Sequence, residues 1–290
     1  MLHALLVVVL TVGLVYVGLV ALLWRFQEHV VFQPPSGISQ HSEIGARRVQ
    51  YRSADGVELF AYVVGDCHAN AAVVLAFHGN ADLARWFIPW ATQLNRETSA
   101  CVMIPELRGY DGVIGTPTYA GSSLDARAAL AFAKDSLNAS SRQLVYFGHS
   151  LGSAIASELA VFEAPVALVL QSPFSSARDM SRRLAVPGVT AFFRFISRVH
   201  FDTLACVRSL DAPVYVAHGD FDGVVPVAMG REVFSAAGVK GELLIVAGAN
   251  HNNVEETGGR AYWSWLTKAV RAGQTPAVSR DARSETRSAL

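Results

Sequence analysis

Gly148-His149-Ser150-Leu151-Gly152 is a G-x-S-x-G pattern that follows an apolar run, LVYF, and opens a helical one, SAIASELAVF. A serine on a tight strand-to-helix turn exposes its hydroxyl, and the flanking glycines let backbones approach where a side chain would clash. Ser150 is therefore the candidate nucleophile. A serine hydroxyl is weak at neutral pH, so it needs a base, and the base needs an orienting acid. Of the 9 histidines, His251 in Gly248-Ala249-Asn250-His251-Asn252 lies downstream of Ser150 and of an acidic pair, Asp220 and Asp222. That is the chain order Ser, Asp, His that goes with this turn. His78, His149 and His218 each neighbour a glycine turn, where a structural hydrogen bond is the expected role. The remaining five fall in the apolar N-terminus, early turns or an insertion. Acyl transfer also needs two N–H donors for the developing oxyanion. Leu151 would supply one and Asn80 the other, with the Asn80 side-chain amide as a third. Periodicity does not separate Asp220 from Asp222.

These residues need a scaffold that brings distant loops together. Short apolar runs alternate with amphipathic ones. Strands are expected over 72–77, 99–104, 144–147, 167–171, 214–217 and 243–246, and helices over 84–94 and 123–137. A hairpin is expected at 48–53 and 57–64, turning at Ala54-Asp55-Gly56. Continuously apolar strands between helices imply a mostly parallel sheet buried on both faces, an α/β fold. In such sheets the working residues sit on loops beyond the carboxyl ends of the strands, and every candidate above does.

The segments FHGNAD (77–82), ELRGYDGVIGTP (106–117), DARAALAF (125–132), GHSLGSAIA (148–156), QSPFSS (171–176), APVYVAHGDFDGVVP (212–226) and GANHNN (248–253) occur in one order. In them the chain resembles the membrane-anchored α/β-hydrolases of the Bem46 / serine-aminopeptidase-like group, from about Phe32 to Leu266. The resemblance implies an α/β-hydrolase fold with a short cap insertion (about 174–210). It puts Ser150, Asp222 and His251 on the catalytic positions and Asn80 and Leu151 on the oxyanion positions, and it selects Asp222 over Asp220. Two departures stand out: Glu106 where the group usually has Asp, and Asp111 where it usually has a small residue. Both flank the Arg108-Gly109-Tyr110 turn, and the expected effect is on substrate shape. The implied activity is hydrolysis of a carboxylic ester or thioester through an acyl-enzyme. Amide or peptide hydrolysis on the same triad, and a non-catalytic interaction role for the fold, are the alternatives.

From Leu2 to Trp24 the chain has no Lys, Arg, Asp or Glu, and about 20 such residues cross a bilayer core. A cleaved signal peptide would show a basic start and a small-residue cleavage site, and neither is clear here. An uncleaved single-pass anchor over 1–25 is therefore expected, in a bacterial inner membrane given the arginine-rich, lysine-poor usage. Arg25, Arg47 and Arg48 after the span lean toward a cytoplasmic domain. A linker over 26–45, a hydrolase domain over 46–271 and a disordered tail over 272–290 complete the expected organisation. Formal net charge is +0, which disfavours a nucleic-acid partner. No metal-ligand cluster or phosphate-binding glycine loop is present, so no cofactor is expected. Cys67, Cys101 and Cys206 lack framework spacing and are read as three separate thiols. The cap carries Phe192, Phe193, Phe195 and Ile196 among several arginines. It is read as a small helix over the pocket, or as a bilayer-touching face that admits acyl chains. The expected partners are thus the membrane and a small-molecule or lipid-like acyl substrate.

Overall fold

The computed structural model describes residues 1–35, 45–68, 71–184 and 197–274. The cap residues Phe192, Phe193, Phe195 and Ile196, residues 36–44 of the expected linker and residues 275–290 of the expected tail lie outside the described residues.

Eight strands form one sheet: β1 (Arg47–Arg52), β2 (Glu58–Val64), β3 (Val73–Phe77), β4 (Cys101–Pro105), β5 (Leu144–His149), β6 (Ala167–Gln171), β7 (Pro213–Gly219) and β8 (Val239–Val246). Their spatial order is β1-β2-β4-β3-β5-β6-β7-β8. β1 and β4 pair antiparallel with β2, and all later pairings are parallel. Every residue of β3, β4, β5 and β6 is buried. That is why these strands are uniformly apolar rather than alternating. This is the α/β-hydrolase fold, with a mostly parallel central sheet flanked by helices.

The described helices are α1 (Leu2–Val31), α2 (Ile88–Thr98), α3 (Tyr119–Asp135), α4 (Leu151–Phe162), α5 (Ala177–Ser181), α6 (Thr203–Arg208), α7 (Val227–Ala236) and α8 (Val254–Arg271). The helix expected over 84–94 begins as a single 3-10 turn, Ala84–Phe87, before α2. Arg108 binds Asp125 of α3 at 2.7 Å and Asp55 of the β1–β2 turn at 2.6 Å. The RGY and DARAALAF segments are thus the two halves of one structural ion cluster.

Two features depart from expectation. Cys67 and Cys101 are joined by a disulfide, with Cα atoms 4.9 Å apart, which ties the β2–β3 connection to the start of β4. The reading of three separate thiols is corrected: only Cys206 is free. The two partners are 34 residues apart, and only the pairing of β3 with β4 brings them together. α1 does not stop near Arg25 but runs on to Val31. Its apolar part is exposed, and it is long and apolar enough to cross a membrane. Its last turns are docked instead. Glu28 accepts from the Tyr119 N–H at 3.1 Å, and Gln27 accepts from the Arg198 N–H at 2.6 Å. The Arg198 guanidinium lies 4.0 Å over the Trp24 ring, and Phe32 is buried against Phe201. The mixed run Phe26-Gln27-Glu28-His29 reads as linker locally, and these tertiary contacts are what keep it helical.

Candidate active site

Ser150 sits between β5 and α4 with φ 52° and ψ −114°, a left-handed conformation that costs about 1–3 kcal/mol and persists only where surroundings enforce it. Here the two flanking glycines allow it. A Cβ on Gly148 would strike the Gly152 carbonyl, and one on Gly152 would strike the Phe77 carbonyl. The turn therefore packs backbone to backbone against the end of β3.

The structure brings Ser150, His251 and Asp222 together. His251 follows β8, and its Nε2 lies 2.9 Å from the Ser150 Oγ. Its Nδ1 lies 2.7 Å from Asp222 Oδ2. Asp222 Oδ1 accepts the N–H groups of Val224 at 2.9 Å and Val225 at 2.8 Å. Burial pushes the Asp222 carboxyl up. Hydrogen bonds from His218, His251 and the Val225 amide outweigh that, and hold it well below the usual carboxylate range. An ionised Asp222 accepting from Nδ1 leaves Nε2 bare and aimed at the hydroxyl, which suits it to receive a proton.

Asp220 is placed elsewhere. It is exposed, and its Oδ1 accepts the Gly248 N–H at 2.7 Å, so it closes the loop beside the histidine without touching it. Of the other three strand-end histidines, each expected to make a structural hydrogen bond, His218 makes its bonds to the acid itself and to the loop that holds it. Its Nε2 lies 3.1 Å from Asp222 Oδ2 and 2.9 Å from the Val225 carbonyl, so it buttresses the acid from behind. An H-G-x-x-D spacing at a strand end was the available signal. His149 is buried, with Nε2 3.2 Å from the His251 carbonyl. Burial and the neighbouring His251 push it down to about 4, so it stays neutral. His78 is buried against Glu106 at 2.8 Å. Burial opposes its charge, but the Glu106 carboxylate wins and raises it to about 9.

Asn80 and Leu151 lie with Ser150 on one cavity. Among the described residues neither backbone N–H has a protein acceptor, and Leu151 is the first residue of α4, where N–H groups point free. The Asn80 side chain is held through its Oδ1, which accepts from the Gln33 N–H at 2.7 Å and the Tyr110 hydroxyl at 2.9 Å and so fixes the direction of its NH₂. Glu106 and Asp111 both grip the chain just beyond Asn80. Glu106 binds His78 and accepts from the Ala84 N–H at 2.9 Å, while Asp111 pairs with Arg85. Their place in the structure is behind the Asn80 loop rather than in the cavity.

The cavity has a volume of about 500 Å³, within the range of small-molecule sites. Phe174, Met180, Val199 and Phe201 wall it on the cap side, and α1 walls it on another. Among the described residues no group of three or more His, Cys, Asp or Glu could hold a metal.

Comparison with known proteins agrees with this fold. The model of an alpha/beta hydrolase family matches residues 73–281. An uncharacterized protein of Mycobacterium tuberculosis is 31% identical over 92% of this chain and 96% of its own. Protein bem46 of Schizosaccharomyces pombe is 27% identical over 72% of this chain and 75% of its own. Among solved structures, the Pyrococcus furiosus esterase Pf2001 superposes with a TM-score of 0.67 at 19% identity, covering 84% of this chain and 98% of its own. A turn that fits only glycine at both flanks of Ser150, a sheet that collects the three side chains, and a matching family model lead to one assignment: the chain belongs to the alpha/beta hydrolase family.

Proposed function

We propose that the protein is a serine hydrolase that cleaves carboxylic ester or thioester bonds through an acyl-enzyme. The observation that carries this is His251 bridging Ser150 and Asp222 at 2.9 and 2.7 Å. His251 Nε2 takes the Ser150 proton as Oγ attacks the acyl carbonyl. The oxyanion receives the N–H groups of Leu151 and Asn80. Collapse expels the alcohol or thiol, which takes its proton from His251. Water, activated by the same histidine, then cleaves the acyl-serine.

The cavity lining favours esters over peptides. An aminopeptidase needs a carboxylate to receive the substrate ammonium, and among the described lining residues there is no Asp or Glu. The esterase named above shares the fold, which agrees with this preference. The hydrolase domain is taken as residues 46–271 and α1 as a retained single-pass anchor. Its docked last turns support retention, since removing them would strip the Arg198 and Tyr119 N–H groups of their acceptors Gln27 and Glu28.

For sidedness, the Cys67–Cys101 disulfide favours an oxidising compartment. The opposing lean from basic residues is weak. Positive charges orient a span most strongly close to its end, within about 15–20 residues, and Arg47 and Arg48 belong to β1 at the far limit of that reach from Val31.

A fluorophosphonate probe is expected to label the folded wild type and not Ser150→Ala. No labelling of the folded wild type sinks the hydrolase reading.

A further inference from the structure

The cavity that ends at Ser150 is walled on one side by the membrane helix itself. Val20, Leu23, Trp24, Gln27, Val30 and Val31 all line it. They fall at i, i+3, i+4, i+7, i+10 and i+11, a single stripe along one face of α1. Accessibility follows the stripe in part: Val20, Leu23, Gln27 and Val31 are half-buried, whereas Trp24 and Val30 at its edges are exposed, as are Ala21, Leu22 and Arg25. The stripe covers about 16 Å of helix at about 1.5 Å per residue.

Its position along the chain matters as much as its face. The uncharged run of α1 ends at Trp24-Arg25, a pairing expected at a membrane–water interface. Val20 and Leu23 therefore lie within the edge of the hydrocarbon layer, and Gln27 to Val31 rise above it. One continuous apolar surface leads from bilayer depth to the Ser150 hydroxyl. A water-soluble substrate would gain nothing from a wall that begins inside a membrane. An acyl chain already lying in the bilayer would slide along it without crossing water. Transfer of each CH₂ into water costs about 0.8 kcal/mol, so a dry route removes a barrier that grows with chain length.

The wall is also joined to the reaction centre. Gln33, just past α1, donates its backbone N–H to the Asn80 side chain at 2.7 Å, and Asn80 carries one of the two free N–H groups facing the cavity. Gln27 and Glu28 fasten the same turns to the cap base and to α3. These contacts hold the helix end as a fixed part of the cavity.

We propose that α1 is the lateral entry wall of the acyl site, and that the substrate is a long-chain acyl ester of a membrane lipid, drawn from the bilayer along the Val20–Val31 stripe. The proposal rests on the serine-hydrolase reading and adds the substrate class and its route. Val20→Trp and Leu23→Trp fill the stripe, while Leu22→Trp places the same bulk on the opposite, lipid-facing side. Full-length protein in phosphatidylcholine vesicles is assayed on a monoacyl glycerol ester with a 16-carbon chain and on its 4-carbon analogue. The ratio of long-chain to short-chain kcat/KM should fall at least tenfold in each stripe variant and stay within twofold in Leu22→Trp. Fluorophosphonate labelling of Ser150 reports whether the triad of each variant is intact. In Ser150→Ala protein, a photoreactive diazirine at mid-chain of the 16-carbon ester should crosslink to the peptide containing residues 20–31. An unchanged ratio, or equal losses with Leu22→Trp, overturns the route. So does crosslinking confined to other segments. A wild type that takes no fluorophosphonate fails at the hydrolase step, and the two failures are thereby told apart.

Discussion

Replacing Asp222 with Asn is the sharpest perturbation of this site, because the four hydrogen bonds on that side chain leave the amide only one way to sit. Oδ1 accepts from the backbone N–H groups of Val224 and Val225, so the Asn oxygen must take that position. Turning the amide over would present its NH₂ to both donors, at about 1–3 kcal/mol for each unsatisfied group. The NH₂ therefore faces the sites of His251 Nδ1 and His218 Nε2. A donor opposite Nδ1 forces the His251 proton onto Nε2, where it points at Ser150 and cannot accept. The imidazolium formed during attack also loses its charge-assisted partner. Together these should lower kcat by about 10³–10⁴, the scale seen when triad acids are amidated in serine proteases, equivalent to about 4–5 kcal/mol of transition-state stabilisation. A donor–donor clash with His218 should lower thermal stability as well. Asp220→Asn keeps a carbonyl oxygen for the Gly248 N–H and should stay within about threefold of wild type in kcat, with at most about 1 kcal/mol lost in stability. The assay is steady-state hydrolysis of a short-chain p-nitrophenyl ester, with thermal melts alongside. Asp222→Asn retaining more than a tenth of wild-type kcat, or Asp220→Asn losing as much as Asp222→Asn, would refute the assignment of the acid.

Three further outcomes follow from other contacts. His78 is raised to about 9 by Glu106. The stability this pair contributes is therefore full below the ordinary histidine value and is lost as pH rises through about 9, so the melting temperature should fall from pH 7 to 9.5. Glu106→Gln should remove that slope, and a slope that persists in the variant contradicts the pairing. Gly148→Ala and Gly152→Ala should each cost several kcal/mol or prevent folding, because the added Cβ meets backbone rather than a side chain that can move. A soluble variant with a wild-type melting curve would contradict the close packing of the turn. Thiol alkylation of the unfolded, unreduced protein should modify Cys206 alone, and reduction should expose Cys67 and Cys101. Three reactive thiols before reduction would remove the support for an oxidising compartment.

Much of the scaffold was legible because a strand buried on both faces must be apolar throughout. The run at 167–171 matches β6 to the residue, and the Ala54-Asp55-Gly56 turn sits where the β1–β2 register closes. The positions of Ser150 and His251 were legible from chain order and the glycine turn. Their roles belong to the proposal above. The choice of Asp222 needed the resemblance, since two acids in one loop look alike until the backbone shows which one faces inward. Glu106 and Asp111 act through partners 22 or more residues away, and no local pattern encodes that. The extension of α1 past Arg25 was hidden for the same reason. Its polar residues look like linker until Tyr119 and Arg198 appear opposite them.

One consequence of α1 concerns mechanics. Its 30 residues form a single helix without a break, a strut of about 45 Å that can tilt but not stretch. In the anchored protein proposed above, a bilayer that thickens or thins is met by tilting such a strut, at a fraction of a kcal/mol per Å of mismatch. The upper end of the strut is bonded into the domain at Gln27 and Glu28, and one short step later at Gln33 to Asn80. Tilt in that protein would reach the Asn80 loop, proposed above to carry one of the oxyanion donors, and membrane thickness would then become an input to the rate.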